Sequence, residues 1–213
     1  MPDIGTWLVN AYVALLKAPL RLLDLRRRNI FLAHIAEKTP PTVTVQTRAG
    51  DIAFHCPGAL VEFRARTLLT KEPETIEWID GFAPSDTFWD IGANIGCYTL
   101  YAATRGVRTF TFEPNAFNYS ILCRNIQRNG LEDKAMAYCL AFSDVTGLSQ
   151  LQLSTLEAGG AIALFGETHA RINVAQLEHP VLSKQGAIGY SIDDFLQANP
   201  ELFPTHIKID VDG

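Results

Sequence analysis

The feature that most constrains the fold is a buried strand that runs into a glycine turn and then into a helix, at residues 88–96. The strand predicted at Thr87–Ile91 is apolar, and Gly92 and Gly96 allow the backbone to bend sharply and to approach a ligand closely. A helix predicted at residues 95–104 follows, so its first amides point towards the turn. Units of this kind belong to α/β sheets, whose ligands bind outside the carboxyl ends of the strands.

Strands and helices alternate beyond this unit, which is typical of a mostly parallel sheet with helices on both faces. The helix after the second strand covers residues 114–129 and ends at Asn129-Gly130, a common helix stop. Three further strands are predicted at residues 107–112, 136–142 and 206–211. We therefore predict an α/β protein with a Rossmann-like sheet.

Shorter elements accompany this sheet. Alternating residues at 43–47 and 52–55 predict a β-hairpin, and residues 151–153 are a further candidate strand. Pro73 suits the first turn of a helix, and Ser191 is placed to cap another. The predicted organisation has three parts, which are residues 1–40, 41–82 and 83–213.

The first 40 residues differ in charge from the rest of the chain. They hold six basic and three acidic residues, whereas the remainder holds twelve basic and twenty acidic ones. The net charge of −5 argues against a broad nucleic-acid footprint. Residues 6–36 are predicted to be helical, because apolar residues recur at helical spacing from Leu8 to Leu23. Pro19 interrupts this series, and Arg26-Arg27-Arg28 follow it.

Two interpretations of residues 6–36 are open. In one, an amphipathic helix lies on an anionic membrane or docks a partner. In the other, which we favour, the helix packs on the protein's own core and leaves its arginines in solvent, because short basic amphipathic patterns are common.

The spacing of the cysteines and histidines bears on the redox compartment of the protein and on metal binding. The four cysteines show no paired spacing, which is typical of reduced thiols in the cytosol. The five histidines lack the spacing of a zinc site. No stretch reaches the roughly 18 apolar residues of a membrane span, and no signal-peptide pattern is present. We therefore predict a cytoplasmic protein without a zinc site, with at most a peripheral membrane contact.

The strongest candidate site lies at two strand ends. The carboxylate of Asp90, before the glycine turn, suits a cationic amino-acid ligand and would repel a pyrophosphate. Ala93 and Asn94 complete the turn, and Asn94 stands where a dinucleotide turn has its middle glycine. Glu113, followed by Pro114, ends the second strand and can accept both hydroxyl protons of a ribose, or serve as an acid at the helix N-terminus.

Two other strand ends also carry acids. Ser143 and Asp144 follow the strand predicted at residues 136–142, where a carboxylate can accept a proton from an adenine amino group or simply form a turn. Asp210 and Asp212 end the last strand and could orient a substrate hydroxyl, act as a general base or hold a metal. The residues do not distinguish these roles.

Together these motifs resemble those of the FkbM family of methyltransferases. The resemblance covers about residues 43–213 and is carried by residues 71–79, 89–98, 112–114, 143–147 and 207–213. It implies a Rossmann-like fold of seven strands and O-methylation that uses S-adenosylmethionine. The implied acceptor is a hydroxyl of a small molecule, a glycan or a lipid-linked sugar.

The resemblance also implies roles for single residues. The loop of Asp90, Gly92, Asn94 and Gly96 would hold the methionine part of the cofactor, Glu113 the ribose and Asp144 the adenine. Many family members carry Glu where this chain has Asp212, and we expect a domain truncated after the last strand. Two alternatives are a nicotinamide-dependent oxidoreductase on the same kind of sheet and an inactive, methyltransferase-like binding domain.

Overall fold

The computed structural model describes residues 4–166, 171–174 and 177–211. The chain forms two compact units, Met1–Pro40 and Pro41–Gly213. The first unit consists of helix α1 (Ile4–Lys17), a 3-10 helix (Pro19–Leu22) and helix α2 (Leu25–Lys38). Because proline has no backbone N–H, the helix breaks at Pro19 as predicted.

The apolar side chains of α1 are exposed. Every residue from 7 to 17 is exposed within the first unit, and the favoured interpretation, in which this helix packs on the protein's own core, stays a prediction. Among the described residues, no helix is both long enough and apolar enough to cross a membrane.

The second unit opens with a hairpin and two helices and then alternates between strands and helices. Its elements are β1 (Thr42–Thr47), β2 (Gly50–His55), α3 (Ala59–Arg66), α4 (Pro73–Asp80), β3 (Thr87–Ile91), α5 (Cys97–Thr104), β4 (Arg108–Phe112), α6 (Ala116–Arg128), β5 (Ala135–Tyr138), β6 (Ala141–Phe142), β7 (Gly147–Leu153), β8 (Ala163–Gly166), β9 (Arg171–Val174), β10 (Leu177–Pro180), β11 (Ser183–Tyr190), α7 (Ile192–Ala198), a 3-10 helix (Pro200–Leu202) and β12 (His206–Ile209).

The central sheet is parallel and has the order β12-β3-β4-β5. Ile91 pairs with Phe112 on one side and with Ile209 on the other, so the three strands end at the same edge. The fold is therefore α/β, as predicted. The resemblance implies seven strands, and the described residues place four in this sheet.

Helices cover both faces of the sheet because side chains alternate along each strand. Phe88 belongs to the larger core cluster, which is built from the β1–β2 hairpin and helices α3 to α6. Trp89 and Phe112 face the other way and pack with Phe195 of α7 and with Leu202. The indole of Trp89 also donates a 2.8 Å hydrogen bond to the carbonyl of Leu202.

The prediction of a single strand over residues 136–142 was wrong. Tyr138 pairs with Phe112 in the central sheet, whereas Ala141 pairs with Gly189 in a second sheet of order β6-β11-β7-β8. The chain therefore changes sheets within this segment. The prediction of a strand at residues 151–153 is confirmed as the end of β7, which pairs antiparallel with β8 and β11.

Candidate functional site

The turn after β3 is anchored on the end of β4. The backbone N–H groups of Gly92 and Ala93 both donate to the carbonyl of Phe112, at 2.9 and 3.1 Å. Gly92 has a φ of +78°, and a Cβ there would lie 2.8 Å from the carbonyl carbon of Asp210 and would overlap its oxygen. Glycine therefore allows the ends of β3, β4 and β12 to meet.

The turn continues through two residues with positive φ. Asn94 has a φ of +54° and Gly96, the N-cap of α5, has a φ of +88°. A Cβ on Gly96 would overlap the side chain of Leu122, so glycine also allows α6 to approach α5 closely.

Glu113 is the best-fixed carboxylate of the site. It is buried at the end of β4, and its two oxygens accept hydrogen bonds from the backbone N–H groups of Asn94 (2.7 Å) and Asn115 (2.9 Å). Burial raises the pKa of Glu113 from 4.5 to about 7, although the two N–H groups act in the opposite direction. The side chain thus titrates near neutral pH and still lines a cleft.

Asp90 lies beneath the turn and is buried more deeply. Its Oδ2 accepts hydrogen bonds from the backbone N–H (3.0 Å) and the hydroxyl (2.6 Å) of Thr99, whereas its Oδ1 has no hydrogen-bond partner. Burial raises the pKa of this carboxyl group, against the opposing effect of the Lys208 ammonium. Asp90 therefore holds the start of α5 and retains one free acceptor.

A loop from a distant part of the sequence covers the turn. The amide of Asn94 donates to the carbonyl of Gly160 at 2.9 Å, and Asn118 of α6 bonds to both glycines of the loop. Arg64 of α3 donates to the carbonyl of Gly159. Three elements thus hold the Gly159-Gly160 turn over the end of β3.

A cleft of about 250 Å³ opens beside this loop. The residues that line it include the polar Glu113 and Asn118 and the aromatic Phe112, Phe142 and Phe165. The rings of Phe112 and Phe142 lie 4.8 Å apart, so one part of the cleft is apolar. A flat, partly polar ligand fits such a lining.

A smaller pocket of about 40 Å³ adjoins the cleft. Asp90 and Asn94 line it together with three cationic side chains, those of Arg64, Lys71 and Lys208. The Oδ1 atoms of both Asp90 and Asn94 are buried without a hydrogen-bond partner. The pocket therefore combines unsatisfied acceptors with basic groups.

Asp210 lies where the two pockets meet. It lines both of them, and its Oδ2 is 3.2 Å from the ammonium of Lys208, which in turn lies 4.8 Å from the centre of the Tyr98 ring. The side chain of Asp210 is 57% exposed and remains accessible to a ligand. Asp212, the other predicted catalytic acid, is outside the described residues.

The remaining predicted site residues are distributed between two places. Pro114 lines the 250 Å³ cleft beside Glu113, and its carbonyl accepts a 2.7 Å hydrogen bond from Gln185. Ser143 and Asp144 instead line a separate, open cleft, and the Ser143 hydroxyl donates to Asp144 at 3.1 Å. The predicted adenine contact of Asp144 stays a prediction.

Sequence reasoning missed several residues of this site. Arg64 lies on a short helix with no clear apolar periodicity, Lys71 was noted only within the family resemblance, and Asn118 lies inside the predicted helix at 114–129. Residues 145–190 are expected from the sequence to line one side of the acceptor cleft and include Gly159-Gly160 as a turn, but no local pattern indicates that this turn contacts Asn94. Only contacts between distant segments reveal these roles.

No family model matches the chain, and no curated protein matches it. Part of the chain resembles solved methyltransferase structures. One is the SAM-dependent methyltransferase from Agrobacterium tumefaciens, with 12% identity, 48% of this chain and 33% of that chain covered, and a TM-score of 0.34. A second is P. horikoshii TYW2 in complex with MeSAdo, with 17% identity, 48% and 37% covered, and a TM-score of 0.32.

A third such structure is the C-terminal domain of precorrin-6Y C5,15-methyltransferase from Rhodobacter capsulatus, with 17% identity, 56% and 90% covered, and a TM-score of 0.30. This chain spans about a third of the length of the first two structures. With TM-scores of 0.30 to 0.34, these similarities do not assign a function to this chain.

Proposed function

We propose that the chain is a class I S-adenosylmethionine-dependent methyltransferase of the FkbM type, which methylates a hydroxyl of a small-molecule, glycan or lipid-linked acceptor. The observation that carries the proposal is Glu113, a buried carboxylate that lines the cleft and is fixed by two backbone N–H groups. A carboxylate offers about four acceptor positions, and those not used by the two N–H groups or by the side chain of Asn118 are left for the hydroxyl groups of a ribose.

The smaller pocket fits the amino-acid end of the same ligand. Buried acceptors without partners are costly, and an ammonium group would satisfy the Oδ1 atoms of Asp90 and Asn94. Arg64 and Lys71 line both pockets, and the N–H groups not used in their contacts with Gly159 and Glu72 can donate to a carboxylate. These pairings place opposite charges together at both ends of an amino acid.

A dinucleotide fits the same residues less well. Its pyrophosphate would lie on the turn after β3, beside the carboxyl groups of Asp90 and Glu113. Asn94 occupies the position of the middle glycine and uses its backbone N–H to hold Glu113, so that donor is not free for a phosphate. A pyrophosphate would therefore lack the backbone donor that it normally uses at this turn.

When bound, S-adenosylmethionine supplies a methyl group on a positively charged sulfur. The protein's own residues must orient the acceptor and exclude water, and orientation of this kind contributes up to about 7–11 kcal/mol. We assign the acceptor hydroxyl to Asp210, which is accessible and lines both pockets. Asp210 would orient this hydroxyl or accept its proton, and a general base contributes about 10²–10⁴-fold in rate.

The cofactor assignment is tested by calorimetry on the whole chain with S-adenosylhomocysteine and with NADH. We expect S-adenosylhomocysteine to bind and NADH to give no heat of binding. Glu113→Gln should weaken the binding at least tenfold, whereas Glu132→Gln, a change of an exposed acid outside both pockets, should leave it unchanged. Uptake of NADH instead, or of neither compound, would refute the proposal.

The role of Asp210 is tested separately with Asp210→Asn. We expect S-adenosylhomocysteine to bind this variant nearly as well as the parent chain. Transfer of labelled methyl groups to a panel of hydroxylated acceptors should fall at least a hundredfold for any acceptor that the parent chain methylates. Near-normal turnover in the variant would remove Asp210 from the mechanism and leave the cofactor site standing.

A further inference from the structure

Helix α1 presents an apolar band that is exposed to solvent. The band consists of Trp7, Leu8, Val9, Tyr12, Leu15 and Leu16, and each of these side chains is between 55% and 68% exposed. A helix that is apolar around most of its circumference is normally buried. The described residues of the first unit leave this band uncovered.

The part of α1 that carries the apolar band has no charged side chains. Residues 4–16 include no charged side chain, and the polar Asn10 and Lys17 lie two helical turns apart on one narrow stripe. If the apolar face of α1 enters a lipid surface, this narrow stripe can face the water.

A basic cluster follows directly after the band. Its members Lys17, Arg21, Arg26 and Arg27 are all exposed. Among the described residues, Arg27 is 3.3 Å from Asp24, whereas no acidic partner is found for Lys17, Arg21 or Arg26. Exposed cations beside an apolar helix complement the anionic headgroups of a lipid surface.

The length of α1 decides between lying on a bilayer and crossing it. Its 14 residues span about 21 Å at 1.5 Å per residue, less than the roughly 30 Å of a hydrocarbon core. Trp7 and Tyr12 are the residue types that concentrate at the level of the headgroups. The dimensions thus fit a helix that lies in the plane of the interface.

We propose that residues 4–28 dock the protein on an anionic membrane surface, with the apolar band of α1 inserted below the headgroups and the basic cluster paired with them. Since no charge interrupts the band, a lipid surface accounts for both features. A second copy packed in parallel would bring two such basic clusters together. This inference is independent of the methyltransferase assignment.

The proposal is tested by co-sedimentation of the whole chain with phosphatidylcholine vesicles and with vesicles that also contain phosphatidylglycerol. We expect binding at least tenfold tighter to the anionic vesicles, weakened by high salt. Leu8→Gln combined with Leu15→Gln should abolish it. Replacement of Arg21, Arg26 and Arg27 by glutamine should reduce it at least tenfold without changing the thermal unfolding of the protein.

The matched control replaces Arg124, Arg128 and Lys134 by glutamine, which are exposed basic residues of the second unit. It changes the net charge by the same amount and should bind vesicles like the parent chain. Equal loss of binding in this control would overturn the proposal. Absence of vesicle binding, with a concentration-dependent dimer that the two leucine substitutions dissociate, would assign the band to a second copy and also overturn it.

Discussion

The backbone N–H of Asn94 donates a 2.7 Å hydrogen bond to Oε2 of Glu113, which ties the turn after β3 to the end of β4. Asn94 has a φ of +54°, a left-handed conformation that asparagine tolerates better than most residues. Because the turn depends on this acceptor, the protonation state of Glu113 affects both the stability of the turn and the binding of a ligand.

The first prediction concerns stability and pH. The pKa of Glu113 is 4.5 in the unfolded chain and about 7 in the folded one, so between these values the folded state binds more protons. The free energy of unfolding should therefore fall as pH rises through this interval, by about 3 kcal/mol. Urea unfolding at a series of pH values measures how the free energy of unfolding changes with pH.

Burial raises the pKa of Asp90 as well, so Asp90 contributes to the slope in the same direction. Glu113→Gln should remove the contribution of Glu113 to the pH dependence of the free energy of unfolding between pH 4.5 and about 7. An unchanged slope in this variant would show that Glu113 titrates elsewhere.

The second prediction concerns ligand affinity and pH. Only ionised Glu113 presents both oxygens as acceptors to a pair of hydroxyl groups. Binding of S-adenosylhomocysteine should therefore tighten about tenfold per pH unit below the pKa of about 7 and level off above it. Calorimetry from acidic to alkaline pH measures this, and Glu113→Gln should bind weakly with no such dependence.

The third prediction is that Gly92→Ala destabilises the fold. The new Cβ would overlap the backbone of Asp210, and the φ of +78° is strained for alanine. We expect a loss of about 2–4 kcal/mol in the free energy of unfolding. In the control, Gly147→Ala, the added Cβ meets no atom within 4 Å and should cost less than about 1 kcal/mol. Comparable losses in both variants would contradict the close approach.

The fourth prediction is that Asn118→Ala releases the loop over the site. The buried amide of Asn118 donates to the carbonyl of Gly160 at 2.9 Å and accepts from the N–H of Gly159 at 2.8 Å. Loss of both bonds should cost about 1–3 kcal/mol and speed hydrogen exchange at Gly159.

Asn199→Ala is the control for Asn118→Ala. It removes a 2.9 Å side-chain bond to the carbonyl of Phe195, far along the chain from the loop. Exchange at Gly159 should be unaffected by this change. If the two variants exchange alike at Gly159, Asn118 does not hold the loop.

The parallel sheet and the turn after β3 follow from local patterns. A short apolar strand, Gly92 and Gly96 predict a sharp bend before a helix, and Pro19 predicts an interrupted helix, because each effect acts within a few neighbouring residues. Glu113 was predicted as a site residue in the same way, since the ends of successive parallel strands meet at one edge of the sheet.

The other features of the fold and of the candidate site depend on contacts between distant segments. Tyr138 pairs with Phe112 but Ala141, three residues on, pairs with Gly189, and no periodicity within residues 136–142 indicates this change of partner. Likewise, Arg64, Asn94 and Asn118 hold Gly159-Gly160 from three separate elements. Periodicity reports which face of an element is apolar, but the choice of the segment that covers that face depends on the packing of the whole chain.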